Sequence, residues 1–213
     1  MTIGVPSTPG IEEPLPTSLT FFIDSRFTTA QRNRFTRLAS GVVLQWNQYY
    51  EDRELGNRRS PLKICTVKYA KFNLNPVWFE DKIANANVAF DISMDGLTRM
   101  IIANGFGRAS RALIMYPAKG TTPPKAIKSA NASNPDKNSL SVTINPKTLS
   151  RSDLTDAILT GSLLHAWLHR LGYRHATGKY TNYYIGECAM CVMRSNSNKQ
   201  PSVPDSRYTA LLD

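Results

Sequence analysis

The spacing of apolar side chains along this 213-residue chain changes period several times, and each change marks an element. "TSLTFFIDSRF" (17–27) is enriched in β-branched and aromatic residues and predicts a short strand. In "TTAQRNRFTRLASGVVLQWNQYYE" (28–51), Phe35, Leu38, Val42, Val43, Trp46 and Tyr49 recur at steps of three and four. That is the helical period, and Thr28 or Thr29 can serve as N-cap. After the break at "NRRSP", "LKICTVKYAKF" (62–72) reads as a strand. "NVAFDISMD" (87–95) alternates apolar and polar residues, as a half-buried strand does.

Two further strands follow, "SRALIMYPA" (110–118), ended by proline, and "LSVTINP" (140–146). A long polar stretch (119–139) separates them, of a length that is usually either functional or disordered. Then "SRSDLTDAILTGSLLHAWLHRL" (150–171) predicts a helix. Ser150 and Asp153 offer its capping-box-like start, and Leu154, Ile158, Leu164, Leu168 and Leu171 form an apolar stripe. Gly172 stands where a left-handed residue would stop it. The order is strand, helix, four strands, helix and an irregular tail, which is an α/β (α+β) fold. Residues 1–17 carry four prolines and few large apolar groups, so they read as a disordered or extended leader to one domain over 18–213.

Composition narrows the function classes. Lys and Arg number 26 against 16 Asp and Glu, a net charge of +10. The basic residues are spread along the chain without a dense cluster, so the charge reads as a solvated face and nucleic acid is not indicated. No apolar run reaches the length of a membrane span. The first residues lack the basic and apolar segments of a conventional secretory signal, which leaves localisation open and is compatible with export or delivery by another route. The cysteines, Cys65, Cys188 and Cys191, are too few for a disulfide framework, and an odd number leaves one unpaired. The lone C-x-x-C of Cys188 and Cys191 sits in an apolar run, "ECAMCVM", and reads as buried small hydrophobes rather than a redox pair or half a zinc site.

All three histidines fall within "HAWLHRLGYRH" (165–175). His165 and His169 are four apart on the expected helix, so they share one face, as two imidazoles must to hold one ion. Gly172 lets the chain reverse, and His175 can return a third nitrogen. Three imidazoles with an open fourth position describe a catalytic zinc site, whereas a structural site takes four protein ligands.

The residues His165, His169, Gly172 and His175 match H-x-x-x-H-x-x-G-x-x-H, and here the chain resembles the metzincin zinc metallopeptidases. The resemblance implies a twisted five-stranded sheet, with one helix before the second strand and the active-site helix after the fifth. It also implies one catalytic Zn2+, endopeptidase activity on a protein or peptide substrate, and a methionine turn beneath the metal. Met190 is the preferred residue for that turn, with Met193 the alternative. No tyrosine follows until Tyr208, so a tyrosine ligand after that turn is not expected. The substrate would add as a strand along a sheet edge, for which "RALIMYP" is the candidate.

One position departs from the signature. Ala166 stands where the family has glutamate, the general base that takes a proton from the attacking water and passes it to the leaving amine. With every other signature residue intact, the pattern points to a replaced glutamate and an inactive form. The rival readings are a natural pseudoenzyme and a basic, non-catalytic zinc- or nucleic-acid-binding protein. A delivered bacterial effector or toxin is a biological role compatible with the peptidase reading.

Overall fold

The structure, a computed structural model, describes residues 1–56, 60–175 and 182–213. It opens with β1 (Thr2–Gly4) and β2 (Ser18–Ile23), then three helices, α1 (Thr29–Glu54), α2 (Pro61–Tyr69) and α3 (Ala86–Gly105). Three strands follow, β3 (Ala112–Met115), β4 (Ile127–Lys128) and β5 (Val142–Ile144). The described chain ends with α4 (Pro146–Leu149), α5 (Asp156–Arg170), α6 (Tyr184–Met193) and α7 (Ser206–Thr209). The strands form one mixed five-stranded sheet in the order β1-β2-β3-β5-β4. β2, β3 and β5 run parallel, while β1 and β4 are antiparallel to their neighbours.

This is the expected mixed α and β architecture, with several elements corrected. The segment 62–72 is not a strand, because Ser60 caps a helix there. Its side chain accepts from the Lys63 amide, and Pro61 occupies the first turn, where its missing N–H costs nothing. Leu62, Cys65 and Thr66 are then buried on one helical face. The segment 87–95 is likewise helical. Asn85 accepts from the amides of Asn87 and Val88, and the buried face runs through Ala89, Phe90, Ser93, Met94 and Leu97. Its apparent alternation was a short sample of a helical stripe, and three helices rather than one separate β2 from β3.

The leader is partly built into the sheet, since β1 pairs antiparallel with β2 and Ile3 is buried. The segment 111–117 also departs from expectation. β3 lies between β2 and β5, and β4, inside the long polar stretch, is the edge strand on that side.

α1 follows its predicted span closely. Thr28 and Gln31 form a reciprocal capping box, and all six apolar positions of the periodic stripe are buried. α5 starts later than expected, because Ser150 ends α4 and Thr155, not Ser150, caps α5 by accepting from the Ile158 amide. Every residue of α5 from Ile158 to His169 is buried, so its apolar face is wider than a single stripe. It packs against α6, α1 and β4. The α5–α6 crossing is close because residue 161 is glycine. A Cβ there would lie 2.5 Å from the Ala189 carbonyl oxygen and 2.6 Å from Met193 Cγ.

Candidate metal centre

The end of α5 is a Schellman motif, and it sets the third histidine. Gly172 N–H donates to the His169 carbonyl and Tyr173 N–H to the Leu168 carbonyl, while Gly172 adopts φ +99°. A Cβ at 172 would also meet the Trp78 ring at 2.9 Å, so backbone and packing both require glycine. The reversal brings His175 back against the last turns of α5. The three Nε2 atoms then form a small triangle: His165 to His169 3.2 Å, His165 to His175 3.1 Å, and His169 to His175 2.9 Å.

Two of the imidazoles are oriented from behind. His169 Nδ1 lies 2.9 Å from the Tyr173 carbonyl oxygen, and His165 Nδ1 lies 3.4 Å from that of Ile185, in the first turn of α6. A carbonyl can only accept, so the contact of His169 favours the proton on Nδ1 and leaves its Nε2 with a lone pair. His165 instead meets a main-chain oxygen on each nitrogen, that of Asp213 lying 3.0 Å from its Nε2. Burial, reinforced by the neighbouring imidazoles, pushes His165 down to about 3. Burial likewise takes His169 down to about 4. The half-buried His175 is lowered by burial and then by Lys125. All three rings are therefore neutral near pH 7, which is the form that coordinates a metal.

A neutral imidazole coordinates through its unprotonated nitrogen, and three Nε2 atoms this close together can offer one ion a common set of donors. Tetrahedral zinc, with bonds of about 2.0–2.1 Å, sets its nitrogens about 3.3 Å apart. The observed triangle is a few tenths of an ångström tighter. The donor set therefore fits a borderline-soft divalent ion such as zinc. Geometry alone establishes a metal-binding arrangement of three histidines rather than the metal's identity.

The triangle opens into a cleft of about 280 Å³ lined by Ile127, Lys128, Ser129, Ala166 and Asp213 among others. Ala166, directly after the first histidine, lines this cleft. The far wall comes from the polar stretch after β4, tied to the carbonyls of α5. Ser129 Oγ donates to the Ala166 carbonyl, and the Ala132 amide donates to that of His169.

Met190 and Met193 both lie within α6, a helix, so neither sits in a turn; Met190 is fully buried, and Met193 packs against Gly161, one turn before His165. The residues that α6 and its N-cap bring to the histidines are Ile185, through its carbonyl, and Tyr183. The Tyr183 ring lies 5.5 Å from that of His175 and 6.1 Å from that of His165, centroid to centroid. Sequence reasoning missed these, as well as Ser129 and Asp213. A backbone carbonyl carries no residue-type signal, and nothing in local spacing brings residue 213 to residue 165.

The C-x-x-C is not a unit. Cys191 is disulfide-bonded to Cys65, 126 positions away, joining α6 to α2. Cys188 alone fits the expectation of a buried small hydrophobe, and burial pushes its thiol up to about 12, which makes it inert. No helix among the described residues is long and apolar enough to cross a membrane. Comparison with family models, curated proteins and solved structures finds no match for this chain.

Proposed function

We propose that this chain is a zinc-dependent endopeptidase domain acting on a protein or peptide substrate, with alanine in place of its general base. The observation that carries this reading is the convergence of three neutral imidazoles at the mouth of a cleft, beside residue 166. His165, His169 and His175 would hold the ion. When bound, zinc supplies Lewis acidity towards a carbonyl and lowers the pKa of a water. The chain's own contribution is orientation and access. The carbonyls of Ile185 and Tyr173 hold two rings with Nε2 towards the cleft. β4 is the edge strand beside them, the place where an extended peptide would add to the sheet. A glutamate at 166 would place a carboxylate in the cleft wall, able to hold a proton between the attacking and leaving groups; alanine holds none.

That missing carboxylate is also the observation favouring a second reading, a natural zinc-binding protein without catalysis. One comparison separates the two. The chain and its Ala166→Glu form are loaded with about one equivalent of zinc, checked by metal analysis, and assayed against a mixed peptide library. The peptidase reading expects Ala166→Glu to raise cleavage by about 10²–10⁴-fold, the usual contribution of a positioned acid–base group. Phenanthroline would abolish that activity. A folded, zinc-loaded Ala166→Glu form that cleaves nothing in the library would sink the peptidase reading in favour of the binding protein.

A further inference from the structure

Asp213 lies 48 positions from His165, yet its main-chain oxygen is 3.0 Å from His165 Nε2. That oxygen stands beside the point on which the Nε2 atoms of His165, His169 and His175 converge, where it can act as a fourth donor. The segment that carries it is held in place by contacts independent of the histidines. Leu212 forms a parallel bridge with Ile127 of the edge strand β4 and is buried. Lys125 Nζ donates to the Leu212 carbonyl at 2.9 Å, and Ser162 Oγ donates to the Leu211 carbonyl at 3.2 Å. The Asp213 side chain is held less well: Oδ1 accepts from the Lys125 amide at 3.4 Å, and Oδ2 is buried without a hydrogen bond.

Both His165 nitrogens face main-chain oxygens, Nδ1 that of Ile185 at 3.4 Å and Nε2 that of Asp213 at 3.0 Å. An ion held by the Nε2 atoms would have the Asp213 oxygen within reach as a further donor.

We propose that the main-chain oxygen of Asp213 is the fourth donor of the metal centre, and that residues 211–213 are the site's own occluding strand on the β4 edge. This inference rests on the three-histidine metal reading. It means that the open position expected of a catalytic site is filled from within the chain. An external ligand, whether substrate carbonyl or inhibitor, would have to displace the segment from the same edge that it needs for binding. An intramolecular competitor of this kind lowers the apparent affinity of external ligands through its high effective concentration.

The test uses the full chain loaded with Co2+, whose visible absorption reports its donors, titrated with acetohydroxamate. Leu212→Asp would expel the buried anchor, and Lys125→Met would remove one hydrogen bond to it without disturbing the core. The expected result is hydroxamate affinity raised about tenfold or more by Leu212→Asp, and by a smaller factor in the same direction by Lys125→Met. The cobalt spectrum before hydroxamate is added should also change. Asp213→Ala keeps the main-chain oxygen and should leave the affinity within about twofold. Equal affinities in the parent, Leu212→Asp and Lys125→Met chains, all cobalt-loaded, would overturn the proposal while leaving the metal centre standing. An Asp213→Ala chain that opens the site as fully as Leu212→Asp would overturn the assignment to the main chain. Failure of the parent chain to bind cobalt would instead overturn the metal reading on which both rest.

Discussion

Two polar clusters lie close together along α6, and they are built on opposite principles. At its first turn Glu187 is fully buried, an expensive place for a carboxylate. It is answered from within the protein. Lys199 Nζ donates to Oε1 at 2.7 Å, the Asn182 amide donates to the same oxygen at 3.2 Å, and Arg194 lies 3.9 Å from Oε2. Lys199 in turn reaches Asp205 at 2.6 Å. Two residues earlier, the Ile185 carbonyl serves His165, whose cluster is made of three imidazoles converging on one point. Three neutral rings, all pushed down in pKa by burial, aim lone pairs at one point. A cluster of unlike groups offsets its own charge and holds a fold together, even though Glu187 Oε2 is left without a hydrogen bond. A cluster of like donors is left incomplete by the side chains that form it, and that incompleteness marks a site for an ion.

The largest effects should come from breaking one member of each cluster. Glu187→Ala removes the buried anchor of Lys199, which keeps Asp205, and the expected loss of stability in urea unfolding is about 1–3 kcal/mol. Zinc content should persist wherever the chain stays folded. His169→Ala should do the reverse. Zinc affinity should fall by on the order of 100-fold or more, read by competition with a chromogenic chelator, because two imidazoles cannot replace three. The metal-free chain should lose about 1–3 kcal/mol, because the Tyr173 carbonyl is left without its imidazole partner. If Glu187→Ala lost zinc selectively, or His169→Ala kept it, the contrast between the two clusters would collapse.

A smaller effect tests how the reversal positions the third ring. Gly172→Ala forces a side chain into φ +99° and against Trp78, and should cost about 1–3 kcal/mol. It should also weaken zinc binding, because His175 depends on that turn. A form destabilised to this degree with unchanged zinc affinity would show that His175 reaches the site by another constraint. The smallest effect belongs to the far end of the same helix. Thr155→Ala removes the α5 N-cap and should cost about 1 kcal/mol in thermal unfolding while leaving zinc affinity unaltered.

The parts of the fold legible in the sequence are those governed by local rules. α1 announces itself through the Thr28–Gln31 capping box and a long apolar stripe, and Gly172 marks the end of α5 because few other residues tolerate that backbone angle. The strand reading of 62–72 and 87–95 failed for a physical reason. Short apolar runs satisfy both periods, and the decision fell to the caps at Ser60 and Asn85 and to which face could be buried. The partnership of Cys191 with Cys65 rather than with Cys188 was equally illegible, since 126 positions separate the pair.

For the site itself, spacing alone determined the histidines. A four-residue step on a helix, followed by a glycine reversal, places three imidazoles together in almost any fold that keeps the helix. Alanine at 166 likewise shows without any structure that no carboxylate follows the first histidine. Only the tertiary structure decided which oxygens surround those rings. It brings the carbonyls of Ile185 and Tyr173 behind them, the β4 edge beside them and the Asp213 oxygen in front. Every residue carries the same main-chain oxygen, so its use is set by where the backbone passes. That path follows from the packing of the whole core.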